Sequence, residues 1–430
     1  VTSGNLTEEP IVTDDIEAFA RLGKIADYFL SHDREIVRAI DDSVVQVFCD
    51  QPTVLRRARG YAPIPILIPK PESSQEPLEA SGIAVGSQMK NSITLCRKNQ
   101  LFLSQHIVDM QNPLTFQLFK ETLRDLQEAY QSRPSWVASD LHPDFESSHY
   151  ACTAALLQFQ IQHHHAHVAS CMAEHGLTGE CLGVSWDGTG FGTDGTIWGG
   201  EFLLASETEF ARVGHLRTFP LPGGDKGAQE PHRAAMGVLH ELGWSVTDDE
   251  VVQTWFSELN RTRLTQLEQM IATSTHSPRT SSMGRLFDAV AWLLGISQAN
   301  SFEGQSAMKL EALAEESRSS HAYSVHITPD GEVDWRPMIT ELLHCFQAGE
   351  KLTQIARCFH NTLVDTIEQF VQRTPNRRII LTGGCFQNRL LLEGTVAKLK
   401  EYDLYWHHRI PPGDGGISAG QAYIAQNRLR

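Results

Sequence analysis

Gln162-His163-His164-His165-Ala166-His167-Val168-Ala169-Ser170 is the densest cluster of chemically capable side chains in the sequence. Phe159-Gln160-Ile161 reads as a strand and Ala166–Glu174 as a helix, which puts the histidines at a strand-to-helix junction. If that junction is helical, His163 and His167 share one face at i,i+4, a spacing that suits two imidazoles on one metal ion. The plain alternative is a solvated, histidine-rich helix start. His164 and His165 are expected to point elsewhere, supporting the ligands or facing solvent. A third ligand is needed. Asp414 offers a carboxylate in Pro411-Pro412-Gly413-Asp414-Gly415-Gly416-Ile417-Ser418, on a turn before a small-residue helix. Two histidines and one carboxylate with open positions suit Fe(II) or Zn(II). The alternative for Asp414 is an N-cap for a helix over 417–426.

Three further segments are rich in glycine beside polar groups. Asp187-Gly188-Thr189-Gly190-Phe191-Gly192-Thr193-Asp194-Gly195 reads either as a loop that approaches phosphates, with Asp187 near the metal or the phosphates, or as ordinary Asp-Gly hairpin chemistry. Gly383-Gly384 follows the apolar run Arg378–Leu381 and precedes a helical pattern from Arg389. Strand, Gly-Gly, helix is a geometry that brings a ligand against backbone amides. Ser301-Phe302-Glu303-Gly304-Gln305 is either an adenosine-contacting helix start or a capped helix.

Behind these sites the chain organises into pieces. Residues 1–63 read as one compact piece, with a helix start at Asp14-Asp15-Ile16-Glu17 and strand-like alternation in Arg34–Ile40 and Ser43–Phe48. About sixty residues fold alone only marginally, so this piece is expected to be the tail of a larger domain. Residues 64–80, proline-stiffened and then polar, read as a linker. From residue 81 a strand–turn–strand unit, Gly82–Leu95, recurs in longer form at Leu182–Gly200, which suggests a duplicated, two-lobed α/β domain over 81–430. Amphipathic stretches at 283–295 and 353–372 are expected to be helices.

Composition narrows the function. The chain has 430 residues with 36 Lys+Arg against 52 Asp+Glu, a formal net charge of −16. Nucleic acid is therefore not an expected partner. Hydrophobic content of 41% and charged content of 20% suit an ordinary globular core. No apolar run approaches the ~18 residues of a membrane span, so no membrane partner is expected. The eight cysteines form no CxxC pair and read as reduced thiols of a cytoplasmic protein. Opening at Val1 rather than Met, the sequence reads as a processed or truncated start.

The motifs together resemble the C-terminal part of the hydrogenase-maturation carbamoyltransferases of the HypF type. The resemblance runs from Val1 to Arg430 in constant order. It is carried by Thr2-Ser3-Gly4-Asn5, Asp41-Asp42-Ser43-Val44, Arg56-Arg57-Ala58-Arg59-Gly60-Tyr61, Ser104-Gln105-His106-Ile107, Asp140-Leu141-His142-Pro143-Asp144, Gln162–His167, Asp187-Gly188-Thr189-Gly190, Pro220-Leu221-Pro222-Gly223-Gly224-Asp225, Glu303-Gly304-Gln305, Gly383-Gly384-Cys385-Phe386-Gln387-Asn388 and Asp414-Gly415-Gly416.

The resemblance implies that residues 1–63 end a YrdC-like α/β domain, which in the family makes carbamoyl adenylate from ATP and carbamoyl phosphate. It implies that residues 81–430 have the two-lobed sugar-kinase/actin/heat-shock-ATPase fold shared with threonylcarbamoyl transferases. That domain would move the carbamoyl group to the C-terminal cysteine of the partner HypE, toward the cyanide ligand of nickel–iron hydrogenase. By motif match, His163, His167 and Asp414 hold the divalent metal, Fe(II) or Zn(II), with Mg(II) a further candidate. Asp187 and Lys90 are the catalytic candidates, Lys90 as an oxygen-binding residue on the first hairpin. Gly188, Gly190, Glu303, Gly304, Gly383, Gly384 and Asn388 line the ATP/AMP moiety. Ser3 and Asn5 match the YrdC-like nucleotide contact, with Gly4 in place of the commoner alanine. Val108 stands where the family usually has glycine and is expected to alter that turn. The family's acylphosphatase-like domain, zinc fingers and most of its YrdC-like domain have no counterpart in this sequence, so the full reaction is expected to call on them. Two other readings stand beside this one: a sugar-kinase-like phosphotransferase, and a non-catalytic module that docks HypE.

Overall fold

The computed structural model describes residues 4–6, 9–69 and 81–429. The chain divides into two compact units. The first takes residues up to Gly179, Ser206–Glu209 and the chain from Trp406; the second takes Glu180–Ala205 and Phe210–Tyr405.

The first unit is built on a six-stranded sheet in the order Ile66–Leu67, Gln100–Leu103, Thr94–Arg97, Gly82–Ala84, Trp136–Asp140, Leu157–Ile161. Its first four strands pair antiparallel and its last two join in parallel. Gly82–Ala84 and Thr94–Arg97 are the paired arms expected of the first hairpin. Ile66–Leu67, inside the segment read as linker, adds an edge strand against Gln100–Leu101. One face is sealed by the helix Pro113–Ala129, whose Phe119, Leu123 and Leu126 recur at helical spacing and bury against Ile83, Leu95, Phe102 and Val137. That helix starts cleanly because Asn112 accepts a hydrogen bond from the Leu114 amide and Pro113 fits its first turn.

The helices His163–His175 and Ile417–Arg428 pack side by side in this unit. Nearly every residue of both is buried, the mark of a helix enclosed on all sides. A Cβ on Gly420 would lie 1.8 Å from the Ala166 carbonyl oxygen, so only glycine permits the approach. Near the N-terminus, Asp14 caps the helix Asp15–Leu22 as its sequence predicts. Val44–Phe48 and Gln51–Arg56 form a hairpin around Cys49 and Asp50, both at positive φ. Arg34–Ile40 is not a strand: its residues are largely exposed and its alternation meets no sheet edge.

The second unit carries a nine-stranded sheet. Its path runs His326–Ile327, Glu332–Asp334, Phe210–Leu216, Ile197–Ala205, Cys181–Phe191, Arg378–Thr382, Asp403–Trp406, with Phe219–Pro220 and Arg279–Thr280 off to one side. Cys181–Phe191 sits between Ile197–Ala205, antiparallel, and Arg378–Thr382, parallel. Its run from Cys181 to Asp187 is buried without alternation, as in a strand covered on both faces. The helices expected at 283–295 and 353–372 appear as Met283–Leu293 and Leu352–Gln372. Among the described residues no helix is long and apolar enough to cross a membrane.

Candidate functional site

The histidine helix begins at His163, three residues before the helix read over Ala166–Glu174, because Gln162 caps it, its side-chain oxygen accepting from the His165 amide at 2.9 Å. Helical geometry then brings His163 and His167 together, with ring centroids 4.9 Å apart. Asp414 stands on the short turn Asp414–Gly416. Its Oδ1 lies 3.6 Å from His163 Nε2 and 4.0 Å from His167 Nε2. The helix that follows is capped at Gly416 with no side-chain bond, so the Asp414 carboxylate is not spent as a helix cap.

Asp140, at the end of the strand Trp136–Asp140, completes the arrangement. The His163 Nδ1–H donates to Asp140 Oδ2 at 2.8 Å, both groups fully enclosed. That bond fixes the tautomer and turns the Nε2 lone pair toward Asp414. A carboxylate oxygen and an imidazole lone pair facing each other are two acceptors, an approach that a shared divalent cation relieves. The ligand atoms of His163, His167 and Asp414 lie within 4.8 Å of one another, so the residues fit such a cation. His164 and His165 do not face solvent: both are buried. His165 donates from Nε2 to the Ser206 carbonyl at 2.8 Å, and burial pushes its pKa down to about 4 against the pull of that carbonyl.

Lys90 sits on the first hairpin with φ +47°. Its carbonyl oxygen is 3.7 Å from the ideal Cβ position on Gly415, next to Asp414. Ser92 steadies the same turn, donating to the Gly415 carbonyl at 2.8 Å. His106 is pushed down to about 3 by burial, then by the charges of Arg56 and Lys90. Asn5 donates to its own backbone neighbours Leu6 and Glu9. Ser3 lies outside the described residues.

In the second unit, Asp187 is not in a turn. The strand Cys181–Phe191 continues through it, and the hairpin turns later, over Gly192–Thr196. Asp194 is the turn residue: its Oδ1 accepts from the Thr196 amide, the Thr196 hydroxyl and Trp198 Nε1. Gly190 pairs with Trp198 in the hairpin ladder. Asp187 Oδ1 accepts from the Gly384 amide at 2.8 Å. Gly383 has φ +97°, and a Cβ there would meet the Trp186 carbonyl oxygen at 2.2 Å; one on Gly384 would meet Asp187 Oδ1 at 2.7 Å. Gly188 lies beside Glu303, whose Oε1 is 3.6 Å from its ideal Cβ position, and Gly304 follows at φ +80°. Asp187, Gly188, Glu303, Gly304, Gly383 and Gly384 thus form a cradle of backbone and carboxylate.

The Asn388 side chain serves the fold. Its oxygen accepts from the Leu391 amide at 3.0 Å, and its amide donates to His360 Nε2 at 2.9 Å. His360 is buried, with Nδ1 bonded to the Ala356 carbonyl, and burial pushes it down to about 4. The Cys385 thiol is pushed well up by burial and by the charge of Asp187.

The chain matches three family models. The second subdomain of the carbamoyltransferase Kae1-like domain covers residues 183–421, the HypF Kae1-like domain covers 78–174, and a Sua5–YciO–YrdC model, described as telomere recombination, covers 1–58. Carbamoyltransferase HypF of Synechocystis sp. is 40% identical over 98% of this chain and 56% of its own length. The HypF homolog of Cupriavidus necator is 32% identical over 80% of this chain and 91% of its own length. A crystal structure of full-length HypF in the phosphate- and nucleotide-bound form superposes with a TM-score of 0.92 at 36% identity, over 100% of this chain and 67% of that one. A crystal structure of T. kodakarensis HypF superposes with a TM-score of 0.91 at 28% identity, over 100% of this chain and 57% of that one. This chain spans little more than half the length of relatives such as the Synechocystis protein. With its α/β architecture and these matches, the chain belongs to the HypF carbamoyltransferase family.

Proposed function

We propose that this chain performs the transfer half of a hydrogenase-maturation reaction, moving a carbamoyl group from carbamoyl adenylate to the C-terminal cysteine thiolate of HypE. The observation that carries the reading is the convergence of His163, His167 and Asp414, with His163 oriented by Asp140. Family membership supplies the reaction class. In this reading residues 1–63 end a YrdC-like domain, 64–80 link it, and 81–430 carry the transfer.

The partner's sulfur attacks the carbamoyl carbon, a C–S bond forms, and the bond from that carbon to the phosphate oxygen breaks. AMP leaves with the electron pair on its phosphate. A divalent cation held by His163, His167 and Asp414 would supply Lewis acidity to a phosphate oxygen and so stabilise the charge of the leaving AMP. The nucleophile comes from the partner, so no internal Ser–His–Asp set is required. Lys90 offers a positive charge to the carbamoyl oxygen as charge develops there. Asp187 holds the Gly384 amide, and with it the glycine backbone against which an adenylate phosphate can lie.

The test supplies carbamoyl adenylate and HypE to the Fe(II)- or Zn(II)-loaded chain and follows HypE by mass spectrometry. Carbamoylation at the HypE C-terminal cysteine is expected. Hydrolysis of the adenylate without labelling of HypE, or phosphorylation of a sugar in place of transfer, would overturn the reading.

A further inference from the structure

The histidine helix ends on a carboxylate that its own dipole disfavours. Glu174 is the penultimate residue of His163–His175, where a helix macrodipole opposes negative charge, and it is only 7% exposed. Three consecutive backbone amides compensate. Arg409 N donates to Glu174 Oε1 at 2.5 Å, Ile410 N to Oε2 at 3.2 Å, and His408 N to both oxygens at 3.2 Å. Successive amides converging on one anion form a concave anion nest. Burial alone would push the carboxyl up, but His407 and the amides outweigh it and bring the pKa down to about 2.

The nested segment is held on its other side too. Thr53 Oγ1 donates to the His407 carbonyl at 3.0 Å, Val54 N to the His408 carbonyl at 2.8 Å, and Arg57 Nη1 to the Arg409 carbonyl at 2.9 Å. Immediately after it come Pro411 and Pro412, with fixed φ, then Gly413 and Asp414. Asp414 faces His163 and His167 on the first turn of the same helix. From His167 to Glu174 the helix rises about 10 Å, and the four residue steps from Ile410 to Asp414 reach at most about 14 Å. The connection is thus short and two of its three intervening residues have fixed φ, so a shift at 408–410 carries toward Asp414.

We propose that Glu174 is a positioning residue of the metal centre: by gripping the amides of 408–410 it sets where Asp414 stands against His163 and His167. The inference rests on the reading of those three residues as a metal centre. A single helix thereby carries two ligands at one end and, at the other, the anchor that locates the third.

The test is a double-mutant cycle on metal affinity, with Fe(II) and Zn(II) titrated into the whole chain and the metal-free melting temperature measured in parallel. Glu174→Gln keeps the shape but weakens the grip on three amides. It is expected to lower metal affinity 10- to 100-fold in the wild-type background and to have little further effect in the Asp414→Ala background, because the two changes act on one ligand. Should Glu174→Gln only destabilise the fold, the melting temperature falls while folded protein binds metal as tightly as before, and the inference fails. Equal losses in both backgrounds would also overturn it, since Glu174 would then act independently of Asp414. If the wild-type chain binds neither metal, the reading of the centre itself fails and takes the inference with it; a failure in the variants alone leaves that reading standing.

Discussion

The histidine centre of the first unit and the glycine cradle of the second solve different problems. The centre is made of side chains, and each important one is aimed by another side chain or by amides: His163 by Asp140, and the segment leading to Asp414 by Glu174. The cradle is made of backbone brought close by missing side chains, with Gly383 at φ +97° against Trp186 and Gly384 against Asp187. The first should therefore answer to changes of charge and donor type, and the second to changes of volume.

Asp414→Ala makes the sharpest break. It removes one of three ligands with no helix cap to lose. Metal affinity and carbamoyl transfer are expected to fall by at least about 10²-fold, beyond the range seen when a ligand's supporting residue is lost, with the metal-free melting temperature nearly unchanged. Metal titration beside calorimetry checks both halves. A lowered melting point with intact metal binding would place Asp414 in the fold rather than in the centre.

Gly383→Ala should break the comparison from the other side. The positive φ alone costs about 1–3 kcal/mol in an L-residue, and the Trp186 carbonyl, 2.2 Å from the added Cβ, cannot yield as a flexible side chain would. A lower urea midpoint and weaker AMP binding are expected, while folded protein keeps its affinity for Fe(II) or Zn(II). Loss of metal binding in that variant would contradict the division of labour between side chain and backbone.

The most gradual effect, spread over pH, should be common to both units. His165 in the first and His360 in the second are held down to about 4 by burial, below the ordinary imidazole value near 6.5. Between those values the unfolded chain binds a proton that the folded chain does not. Stability is therefore full above about pH 6.5 and falls as pH drops toward 4, by up to about 1.4 kcal/mol per pH unit for each histidine. Urea midpoints across that range check the sign. Replacing either histidine by glutamine should flatten the slope.

What the sequence revealed follows the range of each interaction. His163 and His167 are i,i+4 neighbours, so their pairing was legible from spacing alone. Asp140 and Glu174 were not, because one acts from a neighbouring strand and the other on amides far along the chain. Asp187-Gly188 reads as turn chemistry, yet tertiary packing keeps it in the strand through Phe191 and leaves the turn to Asp194 and Gly195. The amphipathic helices of the second unit were readable because their apolar faces repeat over many turns, whereas Arg34–Ile40 alternates without a sheet edge to receive it. The α/β class was legible from the strand–turn–strand units at 82–95 and 182–200, and the two-lobed kinase-like fold from the family resemblance.

The first unit is interrupted in sequence by the whole of the second, which lies between Gly179 and Trp406. During synthesis from the N-terminus, His163 and His167 leave the ribosome first, the second unit follows, and Asp414 and the helix Ile417–Arg428 come last. Until Gly420 can seat against Ala166, the histidine helix, enclosed on every side in the finished fold, waits with one side bare. Pairings this distant form late and leave apolar surface open while they wait. The cluster of His163, His167 and Asp414 is thus complete only after the second unit has been made.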